Sequence, residues 1–175
     1  NQAVATSRLG ASVHFVGAVG TDPQGQQISR NFRDENINYG YLVEKSESAT
    51  GTAFVVAWEG KNAITVVPAA NDLLAPEDIE AAEKVISQAD LVLTQLEIPL
   101  ETIEYLYKKC KELNVKIAIY AAPGKKLPDN IIEQSEFIIA KTCDLGAIFG
   151  PESREQIMKR LPNKLFVRDD TNSTI

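Results

Sequence analysis

The sequence has very few of the residues that build metal sites and disulfide frameworks. Its 175 residues include one histidine, His14, and only two cysteines, Cys110 and Cys143. So few imidazole and thiolate groups exclude an ordinary structural zinc site. Two distant cysteines predict no disulfide framework and a reducing compartment, the cytoplasm. A cysteine nucleophile would also lack a base, because His14 is the only histidine.

Long apolar runs and an excess of positive charge are missing as well. No apolar run approaches the roughly 20 residues that a membrane-spanning helix requires. The formal net charge is -6, which argues against nucleic acid or an anionic membrane as the main partner. A local pocket can still oppose the net charge and bind an anion. A hydrophobic content of 44% fits one domain with a buried core.

Helix and strand patterns alternate along most of the chain. The segment 115–120 is almost continuously apolar, as expected for a strand covered on both faces. This alternation predicts an α/β fold with a doubly wound, mainly parallel sheet. The predicted helices are residues 2–9, closed by Gly10, a helix starting at Asp22 and Pro23, and residues 76–88, 100–113, 131–132 and 151–161. The predicted strands are residues 14–19, 91–96, 115–120, 137–140 and 165–167.

Residues 39–68 have a different pattern, rich in β-branched and aromatic side chains. Two such runs, 52–58 and 63–67, flank a short polar connection that contains Gly60. This arrangement is typical of an antiparallel hairpin. We therefore assign residues 39–68, including Tyr41, to a small β lid. The remaining residues, 1–38 and 69–175, form an incomplete α/β core.

Two polar residues are the main candidates for binding a hydroxylated ligand. In open α/β sheets, ligands bind beyond the carboxyl ends of the strands, and Glu97 follows such a strand. Alternatively, Glu97 is an acid that the dipole of the next helix favours. Asn1 has both donor and acceptor atoms, but it could simply cap the first helix. From the residues alone, the helix-end interpretation is favoured for both.

Other strand ends give weaker signals. Residues 123–126 could bind phosphate, but they lack the spacing of a P-loop, and a solvated turn is favoured. Asp144 could hold magnesium through water, although capping of a helix is favoured. Asp169 and Asp170 are adjacent and would point to opposite faces of a strand, which favours a polar turn.

Several short segments, in this order, resemble the ribokinase-like family of PfkB carbohydrate kinases. The resemblance covers nearly the whole chain, and it is strongest up to Glu101. The segments are Asn1-Gln-Ala with Gly10 and Gly20, Asp22 with Gly25, Ser48-Ala-Thr-Gly-Thr-Ala, Ala69-Ala-Asn, Gln95-Leu-Glu with Pro99-Leu-Glu, and Ala122-Pro with Leu127-Pro-Asp.

This resemblance implies a ribokinase-like fold with a β-sheet lid that often forms a homodimer contact. It implies transfer of a phosphoryl group from ATP to a hydroxyl of a small, ribose-like sugar, with Mg²⁺ and often K⁺. It also implies that Asn1 and Glu97 are sugar ligands, which reverses the interpretation from the residues alone.

The sequence also departs from the family. It contains no GAGD segment, which in the family supplies the catalytic aspartate and the backbone N–H groups that phosphoryl transfer requires. No catalytic residue is therefore expected in this chain, and the piece alone is predicted to be inactive. Tyr120 replaces an asparagine, Lys141 and Asp144 occupy the NxxE magnesium motif, and Arg168 begins the segment that replaces T-L-G. The sugar side thus matches the family better than the nucleotide side does.

These observations lead to one main hypothesis and two alternatives. The main hypothesis is an ATP-dependent sugar kinase, of which this chain is a part. The first alternative is a regulator or sensor that derives from a kinase and binds sugar without catalysis, which the altered nucleotide side favours. The second is a domain without a ligand that serves assembly through its lid.

Overall fold

The computed structural model describes residues 1–59 and 61–169, apart from the side chains of residues 61 and 62. The chain divides into two compact units, Asn1–Ala82 and Glu83–Ile175. Across the described ranges, none of the helices has the length and apolarity needed to cross a membrane.

The first unit contains a parallel strand pair, an antiparallel hairpin and three helices. Its helices are α1 (Gln2–Arg8), α2 (Pro23–Asp34) and α3 (Pro76–Ala81), with a 3₁₀ turn at Ala69–Leu73; its strands are β1 (His14–Val19), β2 (Asn38–Glu44), β3 (Thr52–Trp58) and β4 (Lys61–Val67). The predicted helix ends are confirmed. Gly10 adopts a positive φ of 93° just after α1, as glycine does at helix C-termini. The carboxylate of Asp22 caps α2, and Pro23 is its first residue.

The antiparallel hairpin predicted within residues 39–68 is confirmed, whereas the strand that precedes it pairs elsewhere. Strands β3 and β4 pair antiparallel from Thr52 opposite Val67 through to the turn. Strand β2, however, pairs parallel with β1, with Tyr41 opposite Val16. Helix α2 returns the chain to the start of β1, so β1, α2 and β2 form a βαβ unit. The apolar pattern of β2 indicated a strand correctly, but it could not identify the partner of that strand.

The second unit is a four-stranded parallel sheet with helices between its strands. Its helices are α4 (Glu83–Ile86), α5 (Leu100–Glu112), α6 (Asp129–Gln134), α7 (Leu145–Phe149) and α8 (Arg154–Arg160); its strands are β5 (Val92–Gln95), β6 (Ile117–Tyr120), β7 (Ile138–Lys141) and β8 (Leu165–Arg168). The strand order is β5-β6-β7-β8, and all three pairs of neighbours are parallel, which confirms the parallel α/β prediction. Ile119 of β6 faces Ile138 of β7 in register, and both are fully buried.

Two helix predictions need correction. The predicted helix 76–88 is divided at Ala82 into α3 and α4. The sequence did not predict this division, because the helical apolar pattern continues through Ala82 without a break. The predicted helix 151–161 begins at Arg154, where Ser153 makes a capping box with Gln156. The short helix α7 was not predicted, since five residues are too few for a helical period to be recognised.

A buried hydroxyl pair joins α5 to the end of α6. The Tyr107 hydroxyl lies 2.7 Å from Ser135 Oγ, which itself donates to the carbonyl of Ile131 at 2.7 Å. Tyr107 is therefore the donor to Ser135. Burial raises the pKa of Tyr107 to about 12, so the phenol stays protonated and retains this donor role.

Replacing the acceptor of this pair is expected to be worse than replacing the donor. Ser135→Ala leaves a buried phenol hydroxyl without a partner, at a cost of about 1–3 kcal/mol in the free energy of unfolding. Tyr107→Phe removes the hydroxyl itself and should cost about 1 kcal/mol. Urea denaturation of both variants and of the double variant checks this order. If the two losses in free energy simply added in the double variant, the hydroxyls of Tyr107 and Ser135 would not be coupled, which would contradict this interpretation.

Candidate functional site

The carboxyl ends of β5 to β8 lie along one edge of the second unit, because all four strands run parallel. Hydrogen bonds connect the loops that leave neighbouring strands. The amide of Leu96, after β5, donates to the carbonyl of Ala122, after β6, at 3.0 Å. Lys125 Nζ donates a hydrogen bond to the carbonyl of Leu96 at 3.4 Å. This lysine therefore fixes the loop after β6 against the loop after β5.

A close approach between Gly124 and Asp144 brings the next two loops together. A Cβ atom on Gly124 would lie only 2.8 Å from the Cβ atom of Asp144, so a larger residue could not occupy this position without a shift. Asp144 is the N-cap residue of α7, but its side chain makes no capping hydrogen bond. The capping role that the sequence favoured for Asp144 is therefore not realised.

Asp169 directly follows β8, and its side chain makes contacts that the sequence did not predict. Its carboxylate accepts a hydrogen bond from the Thr142 hydroxyl and an ion-pair hydrogen bond from Arg154 Nη1 at 3.2 Å. These contacts join the residues after β7 and β8 to the start of α8. Asp170, the other member of the predicted carboxylate pair, lies outside the described residues.

The sequence interpretation missed Thr142 and Arg154 as partners of Asp169. Arg154 and Asp169 are separated by a whole helix and strand, so no short-range pattern relates them. The capping box at Ser153 was the available signal, since it makes Arg154 the first residue of α8. This helix start places Arg154 near the end of β8, where Asp169 lies.

Glu97 is exposed and follows β5 by two residues. Helix α5 begins at Leu100 with Pro99 as its N-cap residue, and no side chain caps it. Glu97 thus lies outside the helix, while Glu101 is the acid of the first turn. The structure therefore places Glu97 where a ligand beyond the strand end could reach its carboxylate.

Asn1 is exposed and is the N-cap residue of α1. Its carbonyl accepts the first helical hydrogen bond, from the amide of Ala5 at 2.9 Å. Its side chain makes no capping hydrogen bond, so the alternative that the sequence favoured is not realised here either. The carboxamide keeps both its donor and acceptor atoms available for a ligand.

The remaining candidates are at the last positions of three strands. Tyr120 ends β6 and Lys141 ends β7, and both side chains are half-buried. Arg168 ends β8, is exposed, and is the register partner of Lys141. Two cations therefore end adjacent strands. Among the described residues, no group of three or more histidine, cysteine or acidic side chains is placed to hold a metal ion.

The two thiols have different surroundings. Cys110 is buried in α5, and burial raises its pKa to about 11, so it is an inert core residue. Cys143 is exposed, but it lies far in sequence from His14, which is itself exposed at the start of β1.

Comparison with known proteins gives one family and a consistent set of relatives. The family model described as pfkB family carbohydrate kinase matches residues 1–171. The chain is 33% identical over 169 residues to the ribokinase of Bacillus subtilis (strain 168), covering 97% of this chain and 58% of that protein. It is 34% identical over 161 residues to the ribokinase of Staphylococcus aureus (strain COL), covering 91% and 53%. The chain thus spans about half the length of these curated relatives.

Solved structures show the same fold. The crystal structure of Sa239 matches with a TM-score of 0.88 and 30% identity, covering 99% of this chain and 60% of that one. The Arabidopsis thaliana ribokinase complexed with ribose and ATP matches with a TM-score of 0.81 and 21% identity, covering 99% and 60%. The ribokinase-like architecture inferred from the sequence is therefore confirmed.

Proposed function

Because this chain belongs to the pfkB family of carbohydrate kinases, we propose that it carries the sugar-recognition part of an ATP-dependent kinase for a ribose-like sugar. The family match over residues 1–171 is the observation that carries this proposal. The ribokinases of Bacillus subtilis and Staphylococcus aureus, each about one-third identical to the chain, support ribose as the first sugar to test.

The proposed sugar ligands are Asn1 and Glu97. A carboxylate accepts hydrogen bonds from hydroxyl groups, and a carboxamide both donates and accepts them, so the two suit a polyhydroxylated ligand. Neither side chain caps the helix beside it. Hydrogen bonds to a charged group are also stronger than those between neutral groups, which makes Glu97 the more important of the two.

The proposed nucleotide-side residues are Tyr120, Lys141, Asp144 and Arg168. The structure of a relative complexed with ribose and ATP supports ATP as the phosphoryl donor of the full-length protein. Mg²⁺ and K⁺ remain predictions from the family resemblance. The residues present fit magnesium poorly, because a single half-buried carboxylate, Asp144, lies close in sequence to the cation Lys141, and magnesium prefers several oxygen ligands.

This chain alone is proposed to bind sugar without transferring phosphate. Its sequence contains no GAGD segment, and general-base catalysis needs a carboxylate within hydrogen-bond reach of the reacting hydroxyl. In the full-length protein, Asn1 and Glu97 would orient that hydroxyl, since a fixed reacting geometry lowers the entropic part of the barrier.

Isothermal titration of this chain with ribose tests the proposal. We expect saturable binding, with a Kd of about 1 mM or tighter, corresponding to at least ~4 kcal/mol of binding free energy. An assay of ADP release with ribose, ATP and magnesium should remain at background. Absence of ribose binding would contradict the sugar site, and phosphorylation above background would contradict the inactivity of this chain.

A sugar-binding regulator is the second candidate function. The observation that favours it is the pair of cations, Lys141 and Arg168, at the ends of adjacent strands, where the family resemblance implies the NxxE magnesium motif and a T-L-G segment. Titration of the full-length protein with ATP and magnesium separates the two functions. Tight ATP binding would contradict the regulator.

We also propose that the chain forms a homodimer through its lid. The hairpin exposes large apolar side chains on both strands, and such contiguous patches commonly mark interaction surfaces. The exposed residues are Phe54, Val55, Val56, Trp58, Ile64, Val66 and Val67. A strict monomer in light scattering would contradict both this dimer and the third hypothesis, a domain that serves assembly only.

A further inference from the structure

The hairpin of β3 and β4 is attached to the rest of its unit mainly at its root. Every residue of β3 is exposed, including the neighbours Phe54 and Val55, whose side chains leave opposite faces of the strand and are each 60% exposed. Burial changes abruptly at Thr50, which is only 5% exposed. The side chains of β3 therefore do little to fix its direction, which leaves the contacts at the root of the hairpin, those of Thr50 among them, to do so.

Thr50 is held by a carboxylate that belongs to a different element. Its backbone amide donates to Asp22 Oδ2 at 2.7 Å, and its hydroxyl donates to Asp22 Oδ1 at 2.5 Å. The Thr50 hydroxyl oxygen also accepts from the buried amide of Gly20 at 3.0 Å. One threonine thus joins the chain after β1 and the start of α2 to the root of the hairpin.

Asp22 serves the helix and the hairpin at the same time. Its Oδ1 atom accepts from the amide of Gly25 at 2.9 Å, which caps α2. Both carboxylate oxygens are therefore occupied by donors. The hydrogen bonds from Thr50, followed by the one from Gly25, lower the pKa of Asp22, so the ionised form is the one that the fold stabilises.

Glycines make this junction sterically possible. A Cβ atom on Gly20 would lie 2.5 Å from the carbonyl oxygen of Ser48, and one on Gly25 would lie 2.3 Å from the carbonyl oxygen of Gly20. On the other side of the root, the amide of Ala70 donates to the carbonyl of Ala49 at 3.0 Å. The segment that enters β3 is thus enclosed from two sides.

We propose that Asp22 and Thr50 are positioning residues that fix the direction in which the lid hairpin leaves its unit, and so determine how tightly a sugar is held. The part about sugar affinity rests on the proposed function. The part about hairpin direction rests only on the contacts around Thr50. The two parts are therefore tested by separate measurements.

Matched substitutions at Thr50 test the proposal. Thr50→Val keeps the shape of the side chain and removes the hydroxyl, whereas Thr50→Ser keeps the hydroxyl. In hydrogen exchange of this chain, the diagnostic amide is that of Ala70, because its own hydrogen bond to Ala49 is untouched by either change. We expect Thr50→Val to speed its exchange roughly tenfold, the factor for about one lost hydrogen bond. Amides within the ladder of β3 and β4 should stay within twofold.

Ribose titration supplies the second measurement. The Kd for ribose should rise by roughly five- to tenfold in Thr50→Val and stay within twofold in Thr50→Ser. Ser153→Ala is the control, because it removes a helix cap in the other unit. It should lower stability without changing the exchange of Ala70 or the ribose Kd.

Asp22→Asn provides a second route if Thr50→Val does not fold. Its Oδ1 can still accept from the amide of Gly25 and from the Thr50 hydroxyl, but an amide nitrogen then faces the amide of Thr50, so the bond from that amide to the carboxylate is the one that is lost. Unchanged exchange at Ala70 in these variants would overturn the hairpin part, as would faster exchange throughout β1 and α2, which indicates general destabilisation. If the unaltered chain does not bind ribose, the proposed function fails, while the exchange comparison still decides the role of Thr50.

Discussion

Glu97→Gln is expected to weaken ribose binding by roughly 10- to 150-fold. A hydrogen bond to a charged acceptor contributes about 1.5–3 kcal/mol, and each 1.4 kcal/mol corresponds to about a tenfold change in Kd. The substitution keeps the size of the side chain and removes the charge of an exposed residue that lies just before α5. Isothermal titration with ribose measures the change directly.

Glu101→Gln is the matched control for this experiment. Glu101 is also exposed, and it is the acid in the first turn of α5. If Glu97 acted only through the helix dipole, its substitution would reduce stability by the ~0.3–1 kcal/mol typical of such acids and leave ribose binding intact. Equal ribose affinity in Glu97→Gln and Glu101→Gln would therefore contradict the proposed role of Glu97.

The second large effect concerns the core of the parallel sheet. Ile119→Ala is expected to lower the free energy of unfolding of the second unit by about 2–5 kcal/mol. The residue is fully buried in β6 and faces Ile138 of β7, so removing three carbons leaves a cavity that the two inner strands cannot easily close. Such a loss is a large share of the ~5–15 kcal/mol that stabilises a typical domain.

Leu93→Ala is the control for the cavity argument. Leu93 belongs to the neighbouring strand β5 but is 40% exposed, so its substitution should cost less than half as much. Urea denaturation followed by far-ultraviolet circular dichroism compares the two variants. Similar losses at both positions would show that sheet propensity, rather than the packing of Ile119, determines the stability of this sheet.

Much of the secondary structure could be predicted because it follows from local chemistry. The cap at Asp22, the glycine after α1 and the apolar period of α5 each act within one or two turns. The pairing of strands depends instead on segments that are distant in the sequence. The pattern around Tyr41 identified a strand and assigned it to the lid, yet β2 pairs with β1, because a short apolar strand fits either neighbour equally well.

The site residues show the same limit. The strand ends were predictable, since an apolar run that stops at Glu97 or Lys141 indicates where a strand ends. The hydrogen-bond partners of the polar side chains could not be predicted. Capping was favoured for Asn1 and Asp144, but neither side chain makes the expected bond. Asp22 was recognised at a helix start, whereas its bonds to Thr50 cross 28 positions of sequence and leave no periodic signal.

The order of the strands has a consequence for how the protein is made. In every sheet that the described residues form, neighbours are strands that follow one another along the chain. Pairing distant segments is slow because the intervening loop must first be closed. Here each strand after the first of its sheet pairs with a neighbour that is already synthesised, so a nascent chain can form these sheets in step with translation, and few apolar strands remain unpaired for long on the ribosome.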